Sequence, residues 1–105
     1  MGSKTTFQLT MLGLNDIRRS LDYILYELKN EPASRKLKAD IDEAIAKICL
    51  FPNIGEKVKN EFIKKDYLQK VLVHSYYLYY VYDTEKDVVV IMRFYHNSRN
   101  TNEMI

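Results

Sequence analysis

The run from Val71 to Arg99, VLVHSYYLYYVYDTEKDVVVIMRFYHNSR, constrains the fold of this chain more than any other feature. Two stretches of β-branched and aromatic residues are joined by the charged turn Asp83-Thr84-Glu85-Lys86-Asp87, which is the pattern of a β-hairpin. Leu68 to Val73 reads as one more strand, meeting Tyr76 to Tyr82 across a tight turn at His74-Ser75. Such a three-stranded antiparallel meander has one face to bury, and the first half of the chain must cover it.

That first half reads as one strand and two helices. Thr5 to Leu12 alternates, with Phe7, Leu9 and Met11 on one face, and Gly13 ends the run. Asn15 is expected to cap a helix whose apolar positions are Ile17, Leu21, Ile24, Leu25 and Leu28. Pro32 suits the first turn of a second helix, whose stripe is Leu37, Ile41, Ala44, Ile45 and Ile48 and which Phe51-Pro52 stops. Two helices joined by a few residues make an antiparallel αα-hairpin. The expected fold is therefore α+β: an N-terminal strand on the sheet edge, the helical hairpin, then the meander, in one twisted sheet.

A length of 105 residues fits one domain spanning the whole chain, with Met1-Gly2-Ser3 read as a start or cloning remnant. One cysteine makes no internal disulfide, no apolar run is long enough for a membrane span, and the N-terminus has no export signal. These point to a cytoplasmic protein without a membrane partner. The net charge of +2 argues against a generally basic coat for nucleic acid, so any anion site must be local.

The hairpin ends in such a local set. Arg93, Tyr95, His96 and Arg99 are groups that can hold or act on a phosphodiester. Cleavage of RNA without a metal needs a proton taken from the 2′-hydroxyl, a stabilised phosphorane and a proton for the leaving oxygen. His96 could serve as acid or base, while Arg93 and Arg99 could carry the extra negative charge. Tyr77 and Tyr79, on the face opposite Tyr76, Leu78, Tyr80 and Tyr82, could stack on bases. Lys64, Lys65 and Lys70 could meet phosphates, although a lysine run reads equally as a solvated face. Tyrosine is also simply a good strand residue. His74 reads as a local hydrogen-bonding residue at its turn, and Arg18-Arg19 as solvent-facing. The two histidines and one cysteine lack metal-ligand spacing, and no cofactor is called for.

Three phrases together resemble the RelE/ParE toxins of bacterial type II toxin–antitoxin modules: DIRRSLDYI (Asp16 to Ile24), ICLFPNIGEKV (Ile48 to Val58) and VVVIMRFYHNSRN (Val88 to Asn100). The resemblance covers nearly the whole chain and implies a growth-inhibiting toxin neutralised by a cognate antitoxin. Relatives similar to RelE cleave messenger RNA on the ribosome, as mRNA interferases, whereas ParE-like ones poison DNA gyrase. The fold alone does not choose between these activities. The resemblance implies a ribosome-dependent endoribonuclease first, with a non-catalytic gyrase inhibitor or a degenerate toxin as alternatives. One departure bears on the choice: nucleases of the family carry an arginine in the hairpin where this chain has Tyr77.

Overall fold

The computed structural model describes residues 4–58 and 68–98. Their order is β1 (Thr6–Leu9), α1 (Met11–Asp22), a π-helical turn (Tyr23–Glu27), α2 (Glu31–Leu50), β2 (Glu56–Lys57), β3 (Gln69–Val73), β4 (Tyr76–Asp83) and β5 (Val88–His96). The strands form one sheet in the order β1-β5-β4-β3-β2. The meander and the α+β class are as the sequence implies. The N-terminal strand lies on the sheet edge as expected, running parallel to β5; the one difference in the sheet is the short β2, which extends it beyond β3.

The helices cover one face through the expected stripes. Ile17 of α1 and Leu37, Ile41, Ile45 and Ile48 of α2 pack with Val73, Leu78, Tyr80, Val89, Ile91 and Phe94. Each fully buried apolar side chain contributes about 1.5–3 kcal/mol relative to exposure. Tyr76 and Tyr82 join this cluster at its margin, so the period-two reading of β4 is correct. The Tyr80 hydroxyl is satisfied inside it, donating toward Pro52 O (2.8 Å) or Gln69 Oε1 (3.0 Å) and accepting from Gly55 N (2.9 Å). This network ties the Phe51-Pro52-Asn53-Ile54-Gly55 loop that follows α2 to Gln69 of β3 and Tyr80 of β4.

The start of α1 departs from the sequence reading. Asn15 is exposed within the helix, and the N-cap is Thr10, whose hydroxyl accepts from Gly13 N at 2.9 Å. The strand thus ends at Leu9, and all four of its residues are exposed. Gly13 lies inside α1 instead of ending the strand. A Cβ there would stand 2.9 Å from the Ile91 carbonyl oxygen, so glycine allows the helix to lie directly on β5.

At the other end, α1 widens into the π-helical turn, with Leu28 N donating to Tyr23 O at 3.1 Å. Leu28 is consequently turned outward and is 56% exposed, against its expected place in the stripe. The second helix begins where expected: Asn30 caps it by accepting from Ala33 N, and Pro32 sits in its first turn.

Candidate functional site

The site proposed from sequence lies along β4 and β5, and a β-bulge decides how it is divided. Tyr79 pairs with Arg93, but Tyr80 pairs with Ile91, which leaves Met92 as the extra residue of β5. Beyond the bulge the alternation resets. Phe94 and His96 therefore share the helix-covered face, while Arg93 and Tyr95 share the second face with Tyr77 and Tyr79.

The second face, where Tyr77 and Tyr79 could have stacked on bases, is largely packed. Val58, Leu68, Tyr79 and Tyr95 form a small core of their own, flanked by Tyr77, Val81 and Met92. Tyr79 is 2% exposed and Tyr95 is 5% exposed, so neither ring offers a stacking surface in this conformation. Burial also raises the Tyr79 phenol above the ordinary tyrosine range, with the neighbouring Tyr77 and Tyr95 adding to it. Tyr77 is half-buried, and the Lys70 ammonium lies 4.3 Å from its ring centroid. Among the described residues of the expected RNA-binding set, that pair is the part that stays accessible.

Arg93 is engaged. Its Nε donates to Asp16 Oδ2 at 2.7 Å and its terminal nitrogen donates to Asp16 Oδ1 at 3.2 Å, a bidentate pair. The guanidinium also lies 4.5 Å from the Tyr95 ring centroid. Its hydrogen bonds to Asp16 push its pKa up, so it is a permanent cation held between a carboxylate and an aromatic ring.

Asp16 is a site residue that the sequence does not mark. In the sequence it reads as one more surface charge on a helix, and no local signal marks it. In the structure it is 5% exposed, and its Oδ2 also accepts from Phe94 N at 3.1 Å.

The reason lies in the edge of β5. β1 pairs it only as far as Ile91, and buried backbone groups beyond that point still need partners. Thr10 N donates to Ile91 O, Thr10 Oγ1 donates to Met92 O, and Asp16 accepts from Phe94 N. Helix α1 thus takes over from β1 at the bulge.

His96 stands apart from this cluster. It is exposed, its ring meets Tyr76 edge-on at 5.5 Å, and its Nδ1 lies 2.9 Å from Ser98 Oγ. Ser98 N donates to the same Nδ1 at 3.2 Å, which places the proton of the neutral ring on Nε2. His74 is a hydrogen-bonding residue as expected, but its partner is not local: it bonds Asp40 of α2 at 2.5 Å and ties its turn to the helix layer. With Lys36 it holds the Asp40 carboxyl below the usual range, the His74 bond being the larger cause. Arg99, Lys64 and Lys65 lie outside the described residues.

The expected site therefore divides three ways. Arg93 and Tyr95 are packed together with Tyr79, Tyr77 and Lys70 form an accessible pair beside them, and His96 is on the opposite face. No helix among the described residues is long and apolar enough to cross a membrane.

Comparison with known proteins agrees with this architecture. The chromosomal ParDE system from P. aeruginosa is similar in structure, with a TM-score of 0.69 at 14% identity, over 89% of this chain and 96% of that one. The toxin–antitoxin complex RelBE2 from Mycobacterium tuberculosis gives a TM-score of 0.62 at 23% identity, over 90% of this chain and 99% of that one. At such identities the likeness concerns the fold. No curated protein matches the sequence. The family model described as the ParE toxin of the type II toxin–antitoxin system parDE matches residues 8–101. Since that match runs through the helical hairpin and all of the meander, the chain belongs to the ParE toxin family of type II toxin–antitoxin systems.

Proposed function

We propose that this toxin arrests growth by gripping a protein target, with DNA gyrase as that target, and performs no phosphodiester chemistry of its own. The observation that carries the reading is the bidentate Arg93–Asp16 pair. A guanidinium that is to stabilise a phosphorane must present its N–H groups to the substrate, whereas two of those of Arg93 are already spent on a buried carboxylate. The other features point the same way. Tyr77 stands where nucleases of the family carry an arginine, and the one histidine at the end of the meander lies across the sheet from Arg93. A cognate antitoxin is the second partner in this proposal.

Ribosome-dependent cleavage of messenger RNA is the second reading, and the Lys70–Tyr77 pair is what favours it, as a cation and an accessible ring side by side. In that case His96 and Arg99 would carry the proton transfers and the charge, with Lys64 and Lys65 on phosphates. Induction of the toxin without antitoxin, with thymidine and amino-acid incorporation followed in parallel, separates the two. Thymidine incorporation failing first supports the gyrase reading; protein synthesis failing first, with new messenger ends at ribosomes, refutes it.

A further inference from the structure

An open sheet edge invites another strand, and proteins usually blunt it with charge, proline, a bulge or a very short strand. The two edges of this sheet are treated differently. At one end, β2 is two residues long and both are charged, Glu56 and Lys57. At the other, β1 is Thr6-Phe7-Gln8-Leu9, with no charge, no proline and an unbroken register against β5.

The ladder fixes which groups of β1 face outward. Thr6 N donates to Asp87 O and Thr10 N donates to Ile91 O, so the even-numbered positions bond β5. The residues between them point their N–H and C=O the other way. Phe7 and Leu9 therefore direct theirs off the edge of the sheet. Their side chains share the helix-covered face with Val89 and Ile91, but the helices do not reach that far: Phe7 is 47% exposed and Leu9 38%. Met11 and Leu12, exposed in the first turn of α1, continue the apolar surface.

We infer that the β1 edge takes the β1 strand of a second copy of this chain, antiparallel, about a two-fold axis at Gln8. Phe7 then faces the partner's Leu9, and Leu9 the partner's Phe7. Each pair exchanges both main-chain bonds, because all four residues point outward. Gln8 meets its own counterpart on the other face of the sheet. A two-fold contact requires a surface complementary to itself, and this edge meets the condition. From Thr5 to Leu12 there is no charge, so the axis opposes no like charges, and it sets apolar side chain against apolar side chain. No charge along the edge selects a foreign strand over the chain's own. Because β2 is blunted, pairing stops at two copies and joins two five-stranded sheets into one. This holds whichever way the toxin arrests growth.

Sedimentation velocity of the purified full chain without antitoxin, over a concentration series, reads the association, and thermal melts check folding. Wild type should pass reversibly from one copy to two. Phe7→Pro deletes an outward N–H, where proline is tolerated, and should weaken the dimer at least about 10-fold while remaining folded. Gln8 is exposed. Gln8→Lys and Gln8→Glu should each weaken the dimer about 2–5-fold by opposing like charges across the axis, and an equimolar mixture of the two should associate more tightly than either alone.

Wild type that stays monomeric throughout the series overturns the inference, and so does growth into species larger than two copies. Folded Phe7→Pro that dimerises like wild type overturns it too. Should Phe7→Pro melt early, the Gln8 variants decide: a mixture no tighter than its components overturns it. Monomeric toxin whose complex with the adjacent-gene antitoxin is lost in Phe7→Pro gives the edge to the antitoxin and overturns it equally.

Discussion

Replacing Asp16 with alanine should destabilise this protein more than any other single change on the surface of α1. The carboxylate is 5% exposed and makes three hydrogen bonds, two from Arg93 and one from Phe94 N. Removing one partner of a buried ion pair costs about 3–5 kcal/mol, and leaving a buried N–H without an acceptor costs about 1–3 kcal/mol. The Arg93 side chain is 19% exposed and can turn part of its guanidinium to water, which lowers the first figure. A net loss of about 3 kcal/mol follows, and in a domain of this size that is roughly a 12–24 °C fall in Tm.

Asp16→Asn retains an acceptor for Phe94 N and gives up the charge, so it should lose only about 1–2 kcal/mol. Urea unfolding of the wild type, both single variants and the Asp16→Ala/Arg93→Ala double variant measures this directly. The double variant should be more stable than the sum of the singles implies, by about 1 kcal/mol or more. An Asp16→Ala protein within about 0.5 kcal/mol of wild type, the range of ordinary surface substitutions, would refute the argument that Asp16 closes the β5 edge.

Three further outcomes follow from the packing. Gly13→Ala should destabilise by about 1–3 kcal/mol in a thermal melt despite the better helix propensity of alanine, because its Cβ would press on the Ile91 carbonyl at 2.9 Å. Tyr80→Phe should cost about 1–3 kcal/mol by urea unfolding, since Pro52 O, Gln69 and Gly55 N all lose the buried hydroxyl. Burial raises the Tyr79 and Tyr80 phenols, and the hydrogen bond to Asp87 raises that of Tyr82. A group with a raised folded pKa stabilises fully below its unfolded value and loses that contribution above it, so stability should fall as pH rises beyond about 10. A urea midpoint that is flat from pH 9 to 11 would contradict that assignment.

What was legible in the sequence is what repeats. The alternation of Tyr76, Leu78, Tyr80 and Tyr82 and the spacing of Leu37, Ile41, Ile45 and Ile48 each report one face of a regular element, and both sets are buried or half-buried as that spacing implies. The candidate site was less legible because it depends on an interruption. The bulge at Met92 changes which face each following residue occupies, and only the three-residue step from Ile91 to Phe94 between apolar positions hints at it. Asp16 and Arg93 lie 77 positions apart, and nothing local in either phrase signals that they meet. The start of α1 was misplaced for a related reason. Asn15 has the better capping chemistry, but Thr10 is the residue that can bond both Gly13 and the β5 edge.

The central claim, that the toxin acts by holding a protein and not by cutting RNA, is tested most directly by a supercoiling assay with purified gyrase. Wild-type toxin should inhibit supercoiling of relaxed plasmid in proportion to its occupancy of the enzyme. Tyr77→Ala, which removes the accessible ring beside Lys70, should inhibit equally well. Gyrase left fully active at saturating toxin, together with cleavage of messenger on programmed ribosomes that the Tyr77→Ala change weakens, would contradict the account.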